Sequence, residues 1–231
     1  MKRILSIFLA LLMLFSAFAL ASCEKEEDEE EIELDKTEVE SLIDNYLEKI
    51  YDEDFSSIKC NFKEFYTEDG IQCEENEIYA YERVSENKEL SYSLWSEEDY
   101  SEEEWTIKEN DELTMVEIET IAGVSSEPRV IPNAQTSHDL FRSVRDFVGE
   151  DELILCREEI DTWLKTATKK GSTSEICFEG SDEYENIYTI TMTFKGENLV
   201  RLDVTCNFEG DIDRVLITCE YDIDIDVPEV E

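Results

Sequence analysis

Much of this chain alternates apolar and polar residues with a period of two, and no other feature constrains its fold as strongly. Five such segments lie near 57–66, 77–84, 89–96, 103–108 and 113–121. Three more near the C-terminus carry their apolar residues at Ile190, Met192 and Phe194, then Val200, Leu202, Val204, Cys206 and Phe208, then Val215, Ile217, Cys219, Tyr221, Ile223, Ile225 and Val227. Alternation of this kind gives a strand one apolar and one polar face, which is typical of an antiparallel sheet packed on one side. Turn sequences such as Lys195-Gly196-Glu197-Asn198 separate the segments and favour hairpins.

Three other segments have helical spacing. The first begins at Thr37, which with Glu40 has the spacing of a capping box, and continues with Val39, Leu42, Ile43, Tyr46, Leu47, Ile50 and Tyr51. The second carries Leu140, Phe141, Val144, Phe147 and Val148. The third carries Ile160, Trp163, Leu164 and Ala167 and ends before Gly171.

The order of one helix, about five strands, two helices and about four strands predicts an α+β fold. We expect an antiparallel β-sheet with the three helices packed on one face. Residues 122–136, with Gly123, Pro128 and Pro132, interrupt the pattern as a linker or a long crossover. The sequence therefore allows a single domain over 36–231, or two tandem α+β halves over 36–121 and 137–231.

The N-terminus has the form of a secretory signal. Lys2 and Arg3 precede an apolar run from Ile4 to Leu20. The run ends in Leu20-Ala21-Ser22-Cys23, which resembles the lipobox of bacterial lipoproteins. The resemblance implies cleavage of a signal peptide, residues 1–22, and lipid attachment to Cys23. Two acyl chains anchor a protein stably, so we expect a membrane-anchored protein on the extracytoplasmic face of the bacterial cell envelope.

Residues 23–35 follow as a dense acidic segment, which we interpret as a disordered tether. The whole chain has 61 acidic and 20 basic residues, a net charge of -41. Nucleic acid is therefore excluded as a partner, because binding to phosphates relies on Lys and Arg. An acidic surface that binds another envelope protein remains a candidate.

The lipobox, the acidic segment, the amphipathic first helix, the long alternating strands and the ending Tyr221-Asp222-Ile223-Asp224-Ile225-Asp226-Val227-Pro228 together resemble the LolA/LppX-type lipid-carrier lipoproteins. The resemblance implies a strongly curved antiparallel half-barrel whose concave side, plugged by helices, holds acyl chains. It transfers no catalytic residues. On such a sheet the aromatic residues are candidates for lining a ligand cavity, with core packing as the alternative. They are Tyr79, Tyr81, Tyr92, Trp95, Trp105, Trp163 and Tyr188.

Catalytic and metal signatures are weak. The single histidine, His138, precedes a helical segment, and no Gly-x-Ser-x-Gly motif accompanies it, so we predict no enzyme activity and no cofactor. Asp222, Asp224 and Asp226 have the first spacings of a calcium loop. They lack its glycine at the sixth position and its twelfth ligand, so we predict a solvated face and no metal site.

Six cysteines follow Cys23, namely Cys60, Cys73, Cys156, Cys177, Cys206 and Cys219. An even number in an exported protein permits disulfides, and buried free thiols explain them equally well. The predicted function is binding of an apolar or amphipathic, lipid-like ligand in a half-barrel cavity. The alternative is a non-enzymatic interaction module that binds an envelope protein through an acidic surface.

Overall fold

The computed structural model describes residues 30–68, 71–97, 99–110, 112–134, 139–145, 147–182, 184–208 and 211–229. The predicted signal peptide, its cleavage residues Leu20, Ala21 and Ser22, the lipidation site Cys23 and the histidine His138 lie outside these residues.

In the described residues, one long helix and three short ones accompany thirteen strands. The helices are α1 (Lys36–Tyr51), α2 (Phe141–Arg145), α3 (Glu150–Glu158) and α4 (Ile160–Trp163). The strands are β1 (Ile32–Glu33), β2 (Ser57–Glu68), β3 (Ile71–Ser85), β4 (Lys88–Glu97), β5 (Tyr100–Glu109), β6 (Glu112–Ile121), β7 (Val124–Ser125), β8 (Arg129–Pro132), β9 (Leu164–Lys170), β10 (Thr173–Ser181), β11 (Ile187–Lys195), β12 (Asn198–Phe208) and β13 (Asp211–Tyr221).

All thirteen strands belong to one sheet, and every pairing in it is antiparallel. The spatial order is β1-β9-β10-β11-β12-β13-β2-β3-β4-β5-β6-β7, with β8 also paired to β6. The described strands form an open sheet with β1 and β7 at opposite ends. The predicted antiparallel sheet with helices is confirmed. The two halves meet where β13 pairs with β2, from Arg214 opposite Phe65 to Tyr221 opposite Ile58, and we call this pairing the β2–β13 seam.

The main core lies on the face of the sheet that carries the helices, which we call the helix side. Helix α1 buries Val39, Ile43, Tyr46, Leu47 and Ile50. These side chains form one cluster with residues of α2 to α4 and with the apolar residues of β9 to β13, β2 and β3. The cluster contains residues from both halves of the sequence. Helix α1 comes from the first half, and α2 to α4, which lie between β8 and β9 in the chain, come from the second.

Helix α1 begins two residues earlier than the sequence suggested. Its N-cap is Asp35, whose side chain accepts a hydrogen bond from the backbone of Glu38 at 2.9 Å. The Glu38 carboxylate in turn accepts the backbone N–H of Asp35 at 2.9 Å. The predicted capping box of Thr37 and Glu40 was therefore wrong: Asp35 and Glu38 offer the same spacing one half-turn earlier.

Two segments predicted as irregular form strands. The last part of the predicted tether is ordered, because Ile32 and Glu33 pair with Lys169 and Thr168 and Leu34 is buried in the core. The predicted linker 122–136 contains β7 and β8, which both pair with β6. In each case the added strand satisfies backbone groups at an otherwise unpaired edge.

The third predicted helix extends too far. Helix α4 ends at Trp163, and Leu164 and Ala167 lie on β9, where Ala167 is opposite Ile176 of β10. The Trp163 indole lies directly on Gly180 of β10, where a Cβ would come within 2.0 Å of a ring atom. A residue without a side chain is therefore needed at position 180 for the indole to pack there.

The last strand ends at Tyr221, whereas the alternation had suggested a strand up to Val227. Asp222 has a φ of 56°, in the left-handed region, and the chain then leaves the sheet. The backbone N–H of Ile223 donates to Ser57 Oγ at 2.8 Å, and that of Ile225 donates to Glu82 Oε2 at 2.7 Å. Because Ser57 and Glu82 are opposed neighbours on β2 and β3, the C-terminal segment crosses these two strands.

Candidate functional site

Where the helices no longer cover the sheet, its helix side changes from apolar to acidic and its opposite side is apolar. Residues that are directly opposed on neighbouring strands lie on one face. One helix-side row runs Met192, Leu202, Ile217, Phe62, Glu77, Trp95, Glu102, Glu119. This row is apolar from β11 to β2 and largely acidic from β3 to β6. We call β4, β5, β6 and β8, together with the segment of β3 that pairs with β4, the wing of the sheet.

The helix side of the wing carries an acidic face, defined here as Glu77, Glu102, Glu104, Glu117 and Glu119. Glu102 lies opposite Glu119, and Glu104 lies opposite Glu117. Several hydroxyls donate to these carboxylates, including Tyr79 to Glu77 at 2.6 Å and Thr106 to Glu104 at 3.2 Å. The guanidinium of Arg129 donates to Glu117 at 2.9 Å through Nε.

Glu104 is a partly buried member of the acidic face. Burial raises the pKa of its carboxyl above the ordinary value; the hydrogen bond from Thr106 opposes this shift, and the charges of Glu117 and Glu102 add to it. Burial also raises the pKa of Glu64 on β2, with further contributions from Glu75, Asp213 and Glu77. Neighbouring carboxylates thus add to the effect of burial at both positions, and the acidic face is a region of negative potential.

The opposite side of the wing is apolar. This surface, which we call the apolar patch, comprises Ile78, Ala80, Leu90, Tyr92, Leu94, Trp105, Ile107, Val116, Ile118 and Val130. The register places these residues on one face. None of the residues of this patch belongs to the main core cluster.

Most residues of the apolar patch are buried or partly buried, and its exposed residue is Val130 on β8. Trp105 and Val116 are only 8% and 2% exposed, whereas Val130 is 41% exposed. The Tyr92 and Trp105 rings lie 5.1 Å apart. The Tyr92 hydroxyl donates to Glu103 at 3.0 Å, so a carboxylate lies beside the patch. A pocket of about 510 Å³ at the β5–β6 turn includes Ile107 and extends the patch toward Glu109 and Glu112.

A third feature, which we call the junction pocket, lies on the helix side where the wing meets the helices. It has a volume of about 220 Å³ and is lined by Glu53, Tyr81, Glu89, Lys108, Asp139, Leu140 and Phe141. Lys108 donates to Glu89 at 2.9 Å and Tyr81 donates to the same carboxylate at 3.1 Å. Burial acts to raise the pKa of Glu89, but Lys108, Tyr81 and Arg83 outweigh it and leave that pKa below its ordinary value.

The pKa of Tyr81 shifts upward in the same surroundings, opposite to that of Glu89. Burial, followed by the charge of Glu89, raises the pKa of the Tyr81 hydroxyl to about 12. The junction pocket therefore presents an ionised carboxylate paired with an ammonium group and a neutral phenol at neutral pH. Its volume is below the range of about 300–1,000 Å³ that is usual for small-molecule sites.

The structure distributes the seven predicted cavity residues over four places. Tyr79 and Tyr81 pack against the helices, with Tyr79 stacked on Phe147 at 3.8 Å and Tyr81 edge-on to Phe141 at 5.4 Å. Trp163 and Tyr188 stack on each other at 6.0 Å. Trp95 contacts Tyr100 at 5.6 Å on the acidic face. Tyr92 and Trp105 alone lie on the apolar patch, so the seven residues do not line one common cavity.

Other candidate residues from the sequence lie at the surface or in the sheet. Asp222, Asp224 and Asp226 are exposed, and Ile223, Ile225 and Val227 are partly buried. Within the part of the chain that the structure describes, no group of three or more His, Cys, Asp or Glu side chains is arranged to hold a metal ion.

The acidic surface predicted from the net charge had no location in the sequence, and the apolar patch was not predicted as a surface. A signal for them exists: the apolar residues of β4 and β5, such as Leu94 and Trp105, alternate as regularly as those of β11. The alternation does not indicate which face of the strand the helices cover. The Glu89–Lys108 pair joins residues of two different strands and leaves no local signal.

No family model matches this chain, and no curated protein matches it. Among solved structures, the chain is similar to a DUF1329 family protein from Desulfovibrio piger at 10% sequence identity, over 81% of this chain and 95% of that chain, with a TM-score of 0.27. A likeness at this TM-score supports no conclusion about function. Among the described residues, no helix combines the length and the apolar character that a membrane crossing requires.

Proposed function

We propose that this chain is a non-enzymatic, lipid-anchored protein of the bacterial cell envelope that binds an apolar or amphipathic, lipid-like ligand. The observation that supports the binding role is the apolar patch, an apolar sheet face outside the main core. The patch ranges from buried residues such as Trp105 to the exposed Val130, and apolar surface that stays partly accessible outside a core is typical of interaction sites. The half-barrel version of the proposal, with the ligand on the helix side, competes with core side chains that already fill that side from β9 to β3.

Charge complementarity narrows the class of ligand. Glu103 accepts a hydrogen bond from Tyr92 within the patch, and Glu82 lies beside Leu90. The chain as a whole has a net charge of -41. An amphipathic ligand with an apolar chain and a cationic group is therefore favoured over an anionic one.

Two tryptophans on adjacent strands provide the test. Trp105 belongs to the apolar patch, whereas Trp95 lies on the acidic face and is the more exposed of the two at 37%. We expect dodecyltrimethylammonium carrying a bromine on its alkyl chain to quench fluorescence of the wild type and of Trp95→Phe. The Trp105→Phe variant should lose this quenching, because the bromine quenches only a nearby indole. Quenching that survives in Trp105→Phe and disappears in Trp95→Phe would contradict the proposal.

A matched pair of charge substitutions separates the two faces further. Leu94→Glu places a carboxylate on the patch, and Ser93→Glu places one on the helix side of the same strand. Only Leu94→Glu should weaken the quenching. The same brominated chain with a carboxylate head should bind more weakly than the cationic probe.

The acidic face supports a second candidate, namely an interaction module for a cationic segment of another envelope protein. Five carboxylates lie on one surface there, and binding through them would weaken as salt screens the charges. In the same experiments, an oligolysine peptide that binds the wild type and loses affinity in Glu102→Gln, but not in Leu94→Glu, would favour this candidate.

The lipid anchor is a separate part of the proposal. It is supported by Leu20-Ala21-Ser22-Cys23. We expect Cys23→Ser to leave the precursor uncut or to release the protein from the membrane fraction, because the thiol accepts the lipid. A Cys23→Ser protein that is still acylated and mature by mass spectrometry would contradict the anchor.

A further inference from the structure

Two cysteines meet at the β2–β13 seam. Cys60 of β2 lies directly opposite Cys219 of β13, and their Sγ atoms are 3.5 Å apart although the residues are 159 positions apart in the sequence. Both side chains are buried, at 0% and 5% exposure. Directly opposed residues of antiparallel strands have Cα atoms about 4.5 to 5.5 Å apart, which lies within the range of about 4.4 to 6.8 Å that a disulfide spans.

We propose that Cys60 and Cys219 form a disulfide that covalently joins the two halves of the sheet at their seam. The strand register already brings the sulfur atoms into contact, so a small rotation of the side chains suffices to bond them. The other described cysteines, Cys73, Cys156, Cys177 and Cys206, lie on other strands or on α3.

The reaction requires a disulfide oxidant, either a thiol oxidoreductase or a small-molecule disulfide such as oxidised glutathione. One thiolate attacks the oxidant and forms a mixed disulfide, releasing the first thiol of the oxidant. The second thiolate then attacks the sulfur of the first cysteine, which closes the Cys60–Cys219 bond and releases the second thiol. The two cysteines lose two electrons and two protons in total. Such an oxidant is found outside the cytoplasm, so this inference shares with the proposed function the assumption of export.

The surroundings of the pair determine when the bond forms. The hydrogen bond with Cys219, together with burial, holds the pKa of the Cys60 thiol well above its ordinary value. The thiolate is the attacking species, and both sulfur atoms are buried in the core that α1 and the other helices complete, so an oxidant does not reach them there. Oxidation therefore precedes completion of the core, and the finished bond is inaccessible to reductants in the folded protein.

Peptide mapping of the full chain tests the inference directly. The chain is produced with its N-terminal leader in a bacterium that forms disulfides in its periplasm, and is then unfolded in N-ethylmaleimide without reductant. We expect the peptide of Cys60 to be joined to that of Cys219, with no maleimide on either residue. Maleimide on both residues, or a bond from either residue to another cysteine, overturns the inference. The modification found on Cys23 in the same map reports on the lipid anchor independently.

Unfolding in urea provides a second measurement. The wild type should keep its disulfide in millimolar dithiothreitol while folded, and its urea midpoint should fall after it is reduced in the unfolded state. Cys60→Ala/Cys219→Ala should show no effect of the reductant, whereas the matched variant Cys177→Ala/Cys206→Ala should keep the wild-type response. A wild-type midpoint that does not change on reduction overturns the inference, and the peptide map remains decisive if the first double variant does not fold.

Discussion

Glu104 is a partly buried carboxylate that faces other carboxylates, and its protonation should therefore affect stability. The pKa of Glu104 is raised in the folded protein, so the folded state binds this proton more tightly than the unfolded state does. The associated stability is present below the unfolded pKa, near pH 4.5, and is lost as the pH rises through the folded pKa. Above its folded pKa, the ionised Glu104 therefore destabilises the fold.

We expect Glu104→Gln to raise the melting temperature at pH 7 by about 2 °C and to have little effect at pH 4. The glutamine keeps the shape of the side chain and still accepts the hydrogen bond from Thr106. Thermal unfolding by circular dichroism at the two pH values measures the effect. The control is Glu109→Gln, which removes an exposed charge from the same strand. Equal gains for the two variants would show that net charge, rather than the position of Glu104, is responsible.

The aromatic residues of β3 and β5 show which part of the candidate site the sequence predicts and which part it does not. The alternation on β3 correctly places Tyr79 and Tyr81 on one face, and that on β5 places Trp105 and Ile107 on one face. It does not say that these faces are on opposite sides of the sheet. That depends on strand register, which is fixed by pairings between strands rather than by the pattern within one.

The start of helix α1 is also ambiguous in the sequence, because Asp35 with Glu38 and Thr37 with Glu40 both have the spacing of a capping box. The contacts favour Asp35 and Glu38, which exchange two hydrogen bonds of 2.9 Å. We expect Asp35→Ala to lower the free energy of unfolding by about 1 kcal/mol, the usual effect of losing an N-cap. Thr37→Ala should have an effect close to zero, since Thr37 is exposed and already inside the helix. Urea denaturation of both variants distinguishes the two caps, and a larger loss for Thr37→Ala would reverse the assignment.

The strands of the first half were predictable from the sequence, whereas those around the short helices were not. All five predicted segments between 57 and 121 lie within β2 to β6. By contrast, Ile160, Trp163, Leu164 and Ala167 have helical spacing across an actual helix-to-strand boundary. The structure ends α4 at Trp163, and Ala167 on β9 pairs with Ile176 on β10. Tertiary packing here overrides a local periodicity that fits a helix equally well.

At the scale of the whole molecule, the sequence left one domain and two tandem halves as alternatives. A seam between strands about 150 residues apart in the sequence has no local signature. In the structure the β2–β13 seam makes one sheet of both halves. Helix α1 also contacts the second half: the Tyr46 hydroxyl lies 3.0 Å from that of Tyr221, and Asp44 accepts a hydrogen bond from Arg157 at 2.8 Å.

This shared architecture predicts that neither half folds alone. A fragment of residues 30–134 would leave Ile58, Cys60 and Phe62 without the second-half residues that complete their core, and would expose the pairing edge of β2. A fragment of residues 135–231 would lose α1, which contacts Phe194 through Tyr46 at 6.1 Å, together with the partner strand of β13. We expect neither fragment to show a cooperative thermal transition or dispersed amide resonances by NMR, whereas the chain of residues 30–231 should show both. A fragment that unfolds cooperatively near the melting temperature of the longer chain would instead establish the two halves as independent domains, with the seam as an interface between them.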